Sequence, residues 1–167
     1  NFKLKDKDII KFKNYLFRRH HKEPMAYILG YKHFWKHKFL TNKSVLIPRP
    51  DTELIVEETL KHLPIDKSKK ILDVGTGSGC IVVSLIKERP KCVATAIDIS
   101  RKAINVAKTN AKLHQLANKI NFINIDIDKY KSYNYDLIIS NPPYINSIDL
   151  NRLDDDIKFH EPMLALS

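Results

Sequence analysis

The spacing of apolar residues changes along the chain. Residues 6–22 set Ile9, Ile10, Phe12, Leu16 and Phe17 among charged side chains at helical intervals, which predicts one amphipathic helix. It closes on Arg18-Arg19-His20-His21-Lys22, where cations suit the negative end of the helix dipole. Glu23-Pro24 breaks this pattern. Residues 25–30 lead into an aromatic-rich stretch in which residues 33–36 and 38–40 read as a β-hairpin with a tight turn near His37. Residues 45–47 read as a short strand or extended segment. A helix capped by Asp51 or Thr52 then runs to Pro64. From residue 70 onward, strands over residues 71–74, 93–97, 120–125 and 136–140 alternate with helices over residues 79–88 and 100–114. This alternation predicts an α/β fold around a parallel sheet with right-handed crossovers.

The fourth of these strands runs into Asn141-Pro142-Pro143-Tyr144. Two successive prolines fix φ and remove two backbone donors, so the strand stops there. The Asn141 side-chain oxygen and a carbonyl of the rigid turn form a pair of acceptors at the carboxyl end of a strand, where open α/β sheets bind ligands. Such a pair, followed by the Tyr144 ring, suits a planar NH2 group.

Between the first strand and its helix lies Gly75-Thr76-Gly77-Ser78-Gly79. Its spacing is G-x-G-x-G, and Cys80 stands where a dinucleotide fingerprint would place its third glycine. That departure argues against a pyrophosphate-bearing cofactor and a nicotinamide-dependent oxidoreductase. Asp98 ends the second strand, where a carboxylate can accept ribose hydroxyls. Asp126 follows the third strand near the expected place of an adenine amine, with Ile127 beside the ring. Each aspartate alone can be a turn or helix cap. Their shared sheet edge with the glycine turn points to an adenosine cofactor without pyrophosphate, S-adenosylmethionine.

The net charge of +10, from 29 basic and 19 acidic residues, is compatible with nucleic acid. The lysines are scattered, however, and accompany abundant Ile and Asn, so direct nucleic-acid binding is not favoured. No apolar run has the length of a membrane span, and no secretory signal is present. Cys80 and Cys92 lack the spacing of a metal site or a disulfide framework, which sets a reducing, cytoplasmic expectation. His33 and His37 share an i, i+4 interval but fall in strand, so no metal is expected. The first residue, Asn1, and the end at Ser167 soon after a strand and a long loop suggest a piece of a larger protein.

Gly75 to Gly79 with Asp98 resembles the motif set of class I S-adenosylmethionine-dependent methyltransferases. Asn141-Pro142-Pro143-Tyr144 resembles the N-P-P-Y motif of the branch that methylates amino or amide nitrogens. Ile47-Pro48-Arg49-Pro50-Asp51-Thr52-Glu53, Glu23-Pro24-Met25-Ala26-Tyr27 and His160-Glu161-Pro162-Met163-Leu164-Ala165-Leu166 are similar to stretches of the HemK/PrmC family, the peptide chain release factor glutamine methyltransferases. The resemblance implies a Rossmann-like sheet without its C-terminal strands, preceded by a helix and a hairpin. Residues 1–22 would be a remnant of an N-terminal helical domain, 23–50 a hairpin linker and 51–167 an incomplete methyltransferase domain. It implies methyl transfer to the glutamine side-chain nitrogen of the Gly-Gly-Gln loop in class 1 release factors. Asn141, Pro142, Pro143, Tyr144 and Arg49 would hold the amide. Gly75, Thr76, Gly77, Ser78, Gly79, Asp98, Asp126, Ile127 and Asn141 would hold the cofactor. Alternatives are an adenine or other amino-methyltransferase acting on DNA or RNA, and a truncated cofactor-binding remnant.

Overall fold

The computed structural model describes residues 5–132, 134–146, 149 and 153–167. The first four residues of the expected helical remnant lie outside the described residues. Helix α1 (Asp6–His20) forms where the apolar period places it, and none of its residues is buried. It is held at its C-terminal end by charge. Arg18 donates twice to the Glu23 carboxylate at 2.8 Å, and Arg19 reaches Asp156 at 2.6 Å. A single turn of helix that the sequence pattern does not predict, α2 (Met25–Leu29), follows and ends on Gly30 at φ +81°.

Strands β1 (Tyr31–Phe34) and β2 (His37–Leu40) make the expected antiparallel hairpin, with Phe34 opposite His37. The turn falls on Trp35 and Lys36, earlier than His37. Glu53 accepts the Trp35 backbone N–H at 2.6 Å, and Glu88 accepts its indole N–H at 2.9 Å. Those two anchors hold Trp35 at φ +53°, a conformation uncommon for a bulky residue. Residues 45–47 form no strand: Val45 lies in a bend, and Leu46 and Ile47 carry no regular structure. Helix α3 (Glu53–His62) makes no side-chain cap with Asp51 or Thr52, contrary to the sequence expectation. It continues a 3-10 turn over Pro50–Thr52, so Thr52 already has helical angles and its hydroxyl is turned elsewhere.

The sheet has four parallel strands in the order β5-β4-β3-β6: β3 (Lys70–Val74), β4 (Val93–Asp98), β5 (Ile120–Asn124) and β6 (Leu137–Ser140). Helix α4 (Cys80–Glu88) is buried continuously from Cys80 to Ile86, as suits a helix enclosed by its neighbours. Helix α5 (Arg101–Leu113) is capped by Ser100, whose hydroxyl accepts the Ala103 N–H at 3.2 Å. Its inner face is Ala103, Ile104, Ala107, Asn110 and Ala111, small enough for a close approach to the start of α4. A last short helix, α6 (Asp155–Lys158), precedes the C-terminal segment. No helix among the described residues is long and apolar enough to cross a membrane.

Gly79 is where that close approach is tightest. A Cβ there would stand 3.2 Å from Ala107 Cβ and 3.3 Å from Ala107 Cα, at φ +79°. Gly79→Ala is expected to cost about 3 kcal/mol of stability, part from the left-handed backbone and part from overpacking. Gly75→Ala, at φ +71° with nothing within 4 Å, is expected to cost the backbone part alone, about 1 kcal/mol. Urea denaturation of the two variants checks the difference, and equal midpoints would show that α5 gives way freely.

Candidate active site

The carboxyl ends of β3, β4 and β6 open on one cleft of about 390 Å³, a size usual for small-molecule sites. Gly75, Thr76, Gly77 and Ser78 form one side, with Asp98, Asp126 and Ile127 beyond them. Asn141, Pro142 and Pro143 form the facing side, and Arg49 stands in a third wall made by residues 44–49. The glycine turn and the Pro-Pro corner therefore border the same space.

The glycine turn is shaped by β4. Gly75 and Thr76 donate their N–H groups to Ile97 O at 2.9 and 3.0 Å. Gly77, at φ +57°, turns its N–H onto Asp98 Oδ2 at 2.9 Å. Asp98 Oδ1 accepts the Ser100 N–H at 2.8 Å. Each oxygen of Asp98 thus holds one backbone donor and keeps a further lone pair for a ligand. A carboxylate here favours ligand hydroxyls or cationic groups and repels phosphate, in line with the departure of the glycine spacing from a dinucleotide site. Asp126 also serves its own backbone, accepting the Asp128 N–H at 3.1 Å at the start of a 3-10 turn over Ile127–Lys129. It still lines the cleft, as does the half-exposed Ile127.

Beneath the turn, Asp73 is buried. Its Oδ2 accepts the Thr76 hydroxyl at 2.7 Å, and among the described residues its Oδ1 has no partner. Burial pushes its carboxyl up to about 7, against the lowering effect of the Thr76 bond and with the Asp98 charge adding to the rise. The folded protein then holds a proton that the unfolded chain releases near pH 4. Stability falls as pH rises from about 4 to about 7 and levels off above that. Asp73→Asn is expected to remove this slope. Urea denaturation at pH 5 and pH 8 checks it, with about 3 kcal/mol more loss in the native protein than in the variant. Equal losses would show that Asp73 is ionised in the fold.

At the facing corner, Asn141 Nδ2 donates to Thr52 Oγ1 at 3.3 Å, and among the described residues Asn141 Oδ1 accepts no hydrogen bond. Two of the sequence-predicted residues do not line the cleft. Gly79 is the helix cap against Ala107. Tyr144 is 81% exposed and points away, because the next residue is the one that turns inward: Ile145 is half-buried and its N–H donates to Leu166 O at 3.0 Å. The stacking surface expected of Tyr144 is not presented to the cleft. Arg49 lines it, but its guanidinium is held by the buried Glu161, with Nη2 2.5 Å from Oε1.

Sequence reasoning misses three residues that hold this geometry. Glu161 also accepts the Ile47 N–H at 3.2 Å, so the C-terminal segment grips the third wall. It sits in the stretch whose family resemblance the sequence shows, but nothing in that stretch's spacing names its partners. Asn110 is fully buried; its amide joins both backbone groups of Leu40 and Ser78 O at 2.7–3.0 Å, stapling the hairpin to the glycine turn. Its signal is legible, as a polar side chain on the otherwise apolar face of α5. Thr52, expected as a cap, instead faces Asn141.

A family model described as a methyltransferase small domain matches residues 52–153. Proteins called release factor glutamine methyltransferase are similar over nearly the whole chain. That of Caulobacter vibrioides is 40% identical over 98% of this chain and 57% of its own length. That of Buchnera aphidicola is 38% identical over 98% and 58%. A bifunctional methyltransferase of Rickettsia typhi is 37% identical over 99% of this chain and 36% of its own. The chain thus spans little more than half the length of the first two. Among solved structures, the SAM dependent methyltransferase from Agrobacterium tumefaciens superposes with a TM-score of 0.57 at 22% identity, covering 68% of this chain and 39% of that one. That likeness is one of fold.

Proposed function

Because this chain belongs to the methyltransferase small domain family, we propose that it transfers a methyl group from S-adenosylmethionine to the side-chain amide nitrogen of the glutamine in the Gly-Gly-Gln loop of class 1 release factors, in the cytoplasm. Residues 51–167 would be the methyltransferase unit, with 1–22 and 23–50 the helical and hairpin segments before it. The observation that carries the reading is the single cleft shared by the glycine turn, Asp98 and the Asn141-Pro142 corner. The names of the relatives from Caulobacter and Buchnera support the release factor as substrate.

When bound, S-adenosylmethionine supplies an electrophilic methyl group on a sulfonium sulfur. Gly75, Thr76, Gly77 and Ser78 would border it, Asp98 would accept donors from its polar part, and Asp126 and Ile127 would flank its ring. The free lone pairs of Asp98 and the departure from a phosphate-binding glycine pattern fit that group. An amide nitrogen is a poor nucleophile because its lone pair is delocalised into the carbonyl. Asn141 Oδ1 and the Pro142 carbonyl would accept its two N–H bonds, hold the nitrogen in place and favour its pyramidal form. Fixing a reactant in this way lowers a barrier by several kcal/mol. Acceptors that tighten as the nitrogen gains positive charge stabilise the transition state further. An amide nitrogen held this way would take up the methyl group that the cofactor supplies, and its surplus proton would pass to water. No general base is required.

The net charge of +10 supports a second reading, an amino-methyltransferase acting on DNA or RNA. Full-length protein incubated with methyl-labelled S-adenosylmethionine and either a purified class 1 release factor or RNA separates the two. Label on the release factor glutamine is the expected result; label on the nucleic acid alone would overturn the first reading. Cofactor-dependent thermal stabilisation without label on either would mark a binding remnant.

A further inference from the structure

Resting on the functional reading above, we infer that Thr52 is a positioning residue that holds the Asn141 amide by its nitrogen. An asparagine amide turns about a soft, two-fold torsion. One orientation offers an acceptor to the cleft, and the other offers two donors, which would repel the N–H groups of a substrate amide. Asn141, which lines the cleft, gives its Nδ2 to Thr52 Oγ1 at 3.3 Å, and among the described residues its Oδ1 accepts no hydrogen bond.

Thr52 is placed for this task. It is 9% exposed and stands at the junction of the 3-10 turn and α3, where its hydroxyl caps no backbone N–H. Its own N–H donates to Arg49 O at 3.1 Å, in a turn opened by Pro50. Arg49 is in turn fixed by Glu161, which is buried and also holds Ile47 N–H. The hydroxyl that meets Asn141 therefore sits on a turn braced at both ends, 89 residues away along the chain. Neither the glycine turn nor Asp98 takes part in this contact, so its effect falls on the methyl acceptor and leaves the cofactor side alone.

The test uses full-length protein, S-adenosylmethionine and a purified class 1 release factor. Thr52→Val keeps the shape and removes the acceptor, while Thr52→Ser keeps the hydroxyl. Thr52→Val is expected to lower kcat about tenfold, the value of one neutral hydrogen bond, with the cofactor Kd unchanged within about twofold. Thr52→Ser should restore kcat to within about threefold of the native value. In an Asn141→Ala background Thr52→Val should cost nothing more, because the two residues act as one unit. Native turnover combined with a fully active Thr52→Val sinks this inference and leaves the functional reading standing. So does a Thr52→Val protein that unfolds, or one that loses cofactor affinity or activity equally in the Asn141→Ala background, because the hydroxyl then serves the wall and not the amide. A native protein that labels no amide nitrogen sinks both.

Discussion

Asn141→Ala in the full-length protein is expected to lower the rate of methyl transfer by about 100- to 1,000-fold, with the cofactor Kd within about threefold of native. The magnitude is that found when one preorganised partner of a developing charge is removed. Here the sign is reversed: an acceptor is lost from a nitrogen that becomes positive. The change leaves the Pro-Pro corner in place, since the Asn141 side chain bonds to Thr52 and not to the glycine turn. Pro142 keeps its carbonyl, so on the proposed reading the substrate amide would retain one partner and rotate about it. Single-turnover transfer at saturating cofactor, read beside calorimetric cofactor binding, measures the two quantities separately. Parallel loss of both would assign Asn141 to the cofactor.

Much of this cleft is legible in the amino-acid sequence because its parts are local. The glycine turn, Asp98 and the Pro-Pro stop each stand at or just past the end of a strand, and parallel-sheet topology delivers all such strand ends to one edge. The order β5-β4-β3-β6 then places the end of β6 directly beside that of β3, with Val74 paired to Ser140. What the sequence does not disclose is long-range pairing. Arg49, between two prolines, is expected at the substrate amide, but its guanidinium is taken by Glu161, 112 residues on. Thr52 reads as a helix cap because a hydroxyl at a helix start usually serves the local backbone. The preceding 3-10 turn removes that role, and the partner that replaces it is 89 residues distant. Tyr144 takes its expected role from its neighbours in the motif, whereas its direction is decided by the pairing of Ile145 with Leu166. The hairpin turn moves for the same kind of reason, since Glu53 and Glu88 capture Trp35 from other elements.

Asp98→Ala is expected to give the opposite kinetic signature to Asn141→Ala: a cofactor Kd raised about 100-fold, with kcat at saturating cofactor within about tenfold of native. Two backbone donors, Gly77 N–H at 2.9 Å and Ser100 N–H at 2.8 Å, lose a charged acceptor at once. Hydrogen bonds to charged groups contribute about 1.5–3 kcal/mol each, and about 3 kcal/mol corresponds to two decades in Kd. The Gly77 bond also holds the glycine turn in shape, because it ties a residue at φ +57° to the end of β4. Without it the turn has its two bonds to Ile97 O and that of Gly79 N–H to Thr76 O. Those keep the fold and leave the ligand side loose. Asp98→Asn should fall between native and Ala, since one amide oxygen can take one of the two donors while its NH2 group opposes the other. Calorimetric titration of S-adenosylmethionine into the three proteins, with kcat measured at saturating cofactor, tests the ordering. If Asp98→Ala bound the cofactor as tightly as the native protein, neither the ligand-side lone pairs of Asp98 nor its hold on the glycine turn would serve binding, and the cofactor would have to lie elsewhere in the cleft.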